Sequence, residues 1–137
     1  MTSIFLDTNI VLDLLGKREP FFDPIAKIAT LAEMGKLTLV VSALSYSTAN
    51  YVLEKTNTHK DVILNLQKFK TISSISDLNE NIVEMALNSD FEDFEDALQY
   101  FCALQSNCEI LLTRNSKDFK LSEIPVMSAY EFLNQMN

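Results

Sequence analysis

Asp7, Asp96 and Asp118 stand in three distant segments, "IFLDTN", "FEDFEDAL" and "LLTRNSKDF", each beside an apolar run. Singly, each has a local explanation. Asp7 suits a turn cap after a strand, and "TRNSKDF" suits a polar turn with Asn115 in a left-handed conformation and Asp118 capping. Asp90, Glu92 and Glu95 suit the solvated start of a helix, where the dipole favours acids. Brought to one edge, however, Asp7, Asp96 and Asp118 would have only Arg114 and Lys117 to balance them. Clustered carboxylates repel one another unless a cation joins them. Hard oxygen donors without histidine or cysteine suit Mg²⁺ or Mn²⁺. Such an ion orients and acidifies water and neutralises charge on a phosphate, so phosphodiester hydrolysis is the chemistry this set would serve.

Other chemistries find little support. The only histidine, His59, lies in the polar stretch "KTNTHKD", where a surface loop or helix start explains it, and no nucleophile motif accompanies it. Cys102 and Cys108 lack zinc or redox spacing and read as buried, reduced thiols.

The elements that must position the acids follow from hydrophobic period. Ser3–Asp7, Leu37–Ser42 and Glu109–Thr113 are short apolar runs that read as buried strands, with weaker candidates in "KTISSI" and "IPVMS". Between them lie helical periods. "DPIAKIATLAEMGK" places Ile25, Ile28, Ala29 and Ala32 on one stripe, and Gly35 ends it. "ALSYSTANYVLEK", "DVILNLQKF", "LNENIVEMALN" and "FEDALQYFCALQ" continue the pattern, and Ser128 with Glu131 forms a capping box for a last helix. In "FEDALQYFCALQ" the stripe is Phe94, Ala97, Leu98 and Phe101; Asp93 and Asp96 share an adjoining face, with Asp96 at the border of the buried side. Strands alternating with helices predict an α/β fold with a mainly parallel sheet covered on both sides, whose sites form at the carboxyl ends of strands. Asp7, Thr113, Asn115 and Asp118 all follow strand ends.

With 137 residues, 47% apolar and 22% charged, and only 2 Gly and 3 Pro, the chain reads as one densely structured domain over 1–137. No secretory leader and no bilayer-length apolar stretch is seen, so a cytoplasmic protein is expected. A net charge of −8 argues against indiscriminate binding of nucleic acid. Lys55, Lys60, Lys68 and Lys70 around the middle helices could form a local basic patch, though a solvated face accounts for most of them.

Nearly end to end, the chain resembles the PIN-domain family, of the kind found as the toxin component of VapBC-type toxin–antitoxin pairs. "IFLDTNIVLDLL" resembles the family's first strand with its metal-binding Asp, here Asp7; "VVSALSYSTANYVLEK" resembles its second strand and following helix; "FEDALQYFCALQSNCEILLTRNSKDF" resembles its acidic helix, next strand and final site loop. The resemblance implies a three-layer α/β/α sandwich and a Mg²⁺- or Mn²⁺-dependent endoribonuclease that leaves a 3′-hydroxyl and a 5′-phosphate. It places metal on Asp7 and Asp96, with Asp93 as helper, Asp118 and Asn115 completing or orienting the shell, and Thr113 or Thr8 bonding water or phosphate. It also implies an RNA substrate, an antitoxin partner and a homodimer.

Two departures stand out. The family's helix glutamate falls on Thr48, with Asn50 a substitute after a small shift and Glu54 a remote one, and Asn115 stands where many members have an acid. Fewer carboxylates weaken a metal site, so the alternative is a catalytically degenerate PIN-like module that binds proteins. A phosphotransferase with Asp7 as nucleophile is the third reading, but such enzymes need a second Asp where this chain has Asn9.

Overall fold

The computed structural model describes residues 1–136. Five strands, β1 (Thr2–Leu6), β2 (Leu37–Ser42), β3 (Ser73–Ser76), β4 (Ile110–Leu112) and β5 (Val126–Met127), form one sheet in the order β3-β2-β1-β4-β5, and every pairing is parallel. The helices are α1 (Thr8–Leu15), α2 (Phe22–Glu33), α3 (Ala43–Leu53), α4 (His59–Lys70), α5 (Glu80–Leu87), α6 (Phe94–Gln105) and α7 (Ala129–Met136).

The pleat divides the strand side chains between two cores. Ile4, Leu6, Leu39, Val41, Ile110 and Leu112 enter one core with residues of α1, α2, α3, α4 and α7, while Phe5, Val40 and Leu111 enter the other with residues of α5 and α6. Both faces of the central strands are therefore buried, which is why these segments read as continuous apolar runs rather than alternating ones. The result is the expected three-layer α/β/α sandwich. No helix among the described residues is long and apolar enough to cross a membrane.

Several of these helices start from a short polar capping side chain. Ser42 accepts from the Ser45 N–H (3.2 Å), Thr58 from Asp61 (3.2 Å), Asn79 from Ile82 (3.0 Å) and Asp93 from Asp96 (2.9 Å). Ser128 and Glu131 form the expected reciprocal box, at 3.0 and 2.9 Å. Gly35 follows the α2 cap at φ 75°, a left-handed residue that closes the helix without a Cβ clash.

Two expectations need correction. Phe94 is not part of the core stripe: it is 46% exposed, because the first turn of α6 projects past the sheet before Ala97 and Leu98 reach the core. The stretch after Asp7 is a full helix rather than a turn, and Asp13, which drew no attention, is 1% exposed within it.

Candidate active site

All five strands are parallel, so their carboxyl ends share one edge, and the chain runs to opposite sides of β1 on going to β2 and to β4. That divergence opens a crevice between β1 and β4. Asp7 leaves β1 there. Its N–H donates to the Leu112 carbonyl (3.0 Å), one carboxylate oxygen accepts from the Thr8 N–H (2.9 Å), and the other accepts from the Thr113 hydroxyl (2.8 Å). The Asn115 N–H donates in turn to the Thr113 hydroxyl oxygen at 3.1 Å. Asp7 is buried; burial pushes its carboxyl up from the ordinary range, the two bonds pull it back, and Glu95 and Asp118 push it up further.

Asp96 arrives from α6, three residues into the helix that Asp93 caps. Its carboxyl is pushed up to about 7, first by burial and then by Asp93, Asp7, Asp118 and Glu95. Five acids from three segments thus share one field. Asp93, Asp96 and Asp118 also line a cleft of about 140 Å³ with Asp90, Lys117 and Lys120. Of its cations, Lys120 stands 3.9 Å from the exposed Glu92. Asp118 lies inside a 3₁₀ turn (Ser116–Phe119) and does not cap it; its N–H donates to the Asn115 carbonyl at 3.0 Å. Asn115 is not left-handed either, with φ −121°. A larger hollow of about 550 Å³ lies between α1, α2 and α4, lined by side chains such as Leu14, Phe22 and Phe69, but no acids converge on it.

Beneath Asp7 is a buried neutral cluster that the sequence reading missed. The Gln99 amide donates to the Thr8 hydroxyl (2.7 Å) and the Ser45 hydroxyl (3.0 Å), which also bond each other at 2.8 Å. Gln99 is 1% exposed, and its carbonyl oxygen is buried without a partner. One residue each from α1, α3 and α6 is tied together there, next to Asp7 and one turn from Asp96. Thr8 and Thr113 thus each hold protein partners. A polar residue within the apolar spacing of α6, three after Asp96, is the signal that could have found Gln99.

Thr48 and Asn50 are half-buried on α3, and the Asn50 side-chain oxygen is buried and unpartnered. Glu54 lies nine residues past Ser45, about 14 Å along the helix, with its carboxylate 3.3 Å from His59. His59 itself begins α4 at the surface, and both cysteines are buried and unbridged, as expected.

The donor set fits a hard divalent cation: carboxylates, crowded enough to push the Asp7 and Asp96 carboxyls up, with neither imidazole nor thiol among them. Among the described residues no three histidine, cysteine, aspartate or glutamate side chains stand close enough to enclose an ion unaided.

The chain is similar to several known proteins. The chain is 27% identical to Ribonuclease VapC1 of Aquifex aeolicus, over 98% of this chain and 95% of that protein. Its fold matches VapBC2 from Rickettsia felis, solved bound to a DNA fragment from their promoter, with a TM-score of 0.70 and 18% identity over 91% of this chain and 97% of that one. It also matches Mycobacterium tuberculosis VapC20, a sarcin-ricin loop cleaving toxin, with a TM-score of 0.67 and 12% identity over 86% and 94% of the two chains. A family model of the PIN domain covers residues 3–117, from the first strand through the loop that carries Thr113 and Asn115. The chain belongs to the PIN domain family.

Proposed function

We propose that this chain is a metal-dependent endoribonuclease of the toxin type, cleaving RNA phosphodiester bonds at the carboxyl edge of its sheet. The observation that carries this reading is the convergence of Asp7, Asp96 and Asp118: Asp118 pushes the Asp7 and Asp96 carboxyls up, and Asp7 pushes that of Asp96 up further. Asp7 and Asp96 would hold Mg²⁺ or Mn²⁺, with Asp118 and Asp93 close enough in charge to assist. When bound, such an ion supplies charge neutralisation at a phosphate and acidifies a water. The rest falls to the protein. Thr113 fixes the rotamer of Asp7, Asn115 fixes Thr113, and the Gln99 cluster holds α1, α3 and α6 at constant spacing. Burial of Asp7 keeps bulk water from screening the site.

The VapBC complexes among the structural neighbours and the ribonuclease among the relatives support an RNA substrate and an antitoxin partner for this chain. A homodimer working in the cytoplasm fits the same assignment.

A second reading, a degenerate module that binds proteins without cutting, is favoured by Thr48 at the glutamate position and by Glu54 lying at the far end of α3. The deciding experiment is cleavage of a panel of structured RNAs by the native chain, Asp7→Asn and Asp96→Asn in Mg²⁺ and Mn²⁺. The nuclease reading expects metal-dependent cleavage by the native chain alone, with all three proteins folded. Cleavage retained in either variant, or absent from the native chain across the panel, would refute it.

A further inference from the structure

We propose that Arg114, between Thr113 and Asn115 in the chain, is a preorganised receptor for a substrate phosphate, held in position by Asp13 and Phe21; the inference rests on the ribonuclease reading above. Arg114 directly follows Thr113, whose hydroxyl bonds Asp7, and directly precedes Asn115. Its Nε lies 3.0 Å from the Asp13 carboxylate, and its guanidinium carbon stands 4.1 Å from the centre of the Phe21 ring. One edge and one face of the guanidinium are therefore fixed. Its side chain is still 29% exposed, and no acceptor among the described residues takes an aligned hydrogen bond from its two terminal nitrogens.

Asp13 explains why the group is fixed. It is 1% exposed, and neither of its oxygens receives an aligned hydrogen bond, so Arg114 and the nearby Arg18 are what balance its charge. A buried carboxylate of this kind does not release its counter-ion cheaply. A structural pair alone would account for Asp13. It does not account for a guanidinium that stays partly exposed on the residue next to Thr113.

A planar fork of this kind matches the two oxygens of a phosphate, and fixing it in advance removes the ordering cost that a mobile lysine incurs. The need is specific to this chain: at net charge −8 it cannot attract RNA by its general field and must use discrete cations. Lys117 and Lys120, the other cations beside the acids, are exposed, and Lys120 meets only the exposed Glu92, at 3.9 Å. Next to Arg114 a hollow of about 200 Å³ presents Phe21 and Tyr130, 40% and 64% exposed, as aromatic surfaces on which the adjoining base of a single strand would stack.

The test is fluorescence anisotropy of a short labelled single-stranded RNA binding to the full chain in Ca²⁺, repeated across salt concentrations, with cleavage in Mg²⁺ followed in parallel. Arg114→Ala is expected to weaken binding about tenfold and to make the slope of log K against log salt shallower by about 0.7, the loss of one phosphate contact. Because Arg114→Ala strands the buried Asp13, the double variant Asp13→Asn/Arg114→Ala is measured too and is expected to give the same slope. Asp13→Asn alone removes a negative charge, so simple electrostatics expects tighter binding; the receptor expects weaker binding at an unchanged slope. A native slope in the double variant, or Asp13→Asn binding as tightly as the native chain, overturns the receptor while leaving the nuclease reading in place. A native chain that neither binds nor cuts this RNA overturns both.

Discussion

Asp7 and Asp13 sit on the same helix, one capping its first turn and the other in its last turns, and both are almost completely buried. Burial pushes both carboxyls up, yet their surroundings differ. Asp13 has Arg114 at 3.0 Å and Arg18 nearby, whereas Asp7 has a hydroxyl and an amide but faces Glu95 and Asp118. A buried acid that serves the fold is given its cation by the fold. One left among other acids is balanced only when something else arrives, and that contrast separates structural charge from site charge along a single helix.

The largest effect should come from removing the unbalanced acids. Asp7→Asn or Asp96→Asn is expected to lower RNA cleavage by more than about 100-fold, since loss of even an outer-shell partner costs up to that much at a metal site. Circular dichroism should show both variants folded; a variant that unfolds would make its acid structural and erase the contrast. Next in size is the balanced pair: Arg114→Ala should destabilise the chain by about 3 kcal/mol in denaturant melts by leaving Asp13 without its main counter-ion. Adding Asp13→Asn should recover most of that loss, and no recovery would mean that the two residues are not coupled. Smaller again is Thr113→Val, which removes the hydroxyl that orients Asp7 and should weaken Mn²⁺ affinity about tenfold by calorimetry; unchanged affinity would show that Asp7 needs no such positioning.

The smallest effect is a pH dependence of the metal-free chain. Asp96 has a folded pKa of about 7 against an ordinary 3.8. Between those values the folded chain keeps a proton that the unfolded chain has released, so stability falls as pH rises through the window and levels off above it. Asp96→Asn should flatten that fall and raise the melting temperature above pH 7 by a few degrees. A melting profile identical to that of the native chain would show that Asp96 is not under strain from its neighbours.

Much of this was legible in the sequence because the signals were local. Buried strands show as short apolar runs, Gly35 marks a helix end, and Ser128 with Glu131 marks a helix start. Asp7, Thr113 and Asn115 could be placed because a residue just past a parallel strand reaches the common edge whatever the loop does. The α1 helix was hidden because Ile10, Val11 and Leu12 are consecutive and all buried, so no helical period shows. Asp13 and Gln99 were missed for a different reason: their partners, Arg114 for one and Thr8 and Ser45 for the other, are remote in the chain, and only the fold brings them together. Phe94 was misplaced because a stripe continued to its first residue ignores where the helix leaves the sheet.

The most direct test of the central claim is an anomalous difference map from crystals of the native chain soaked in excess Mn²⁺. The account predicts a peak at the acid edge contacting Asp7 and Asp96, and none beside Asp13. Ordered, unobstructed Asp7 and Asp96 carboxylates with no peak at saturating Mn²⁺ would contradict it.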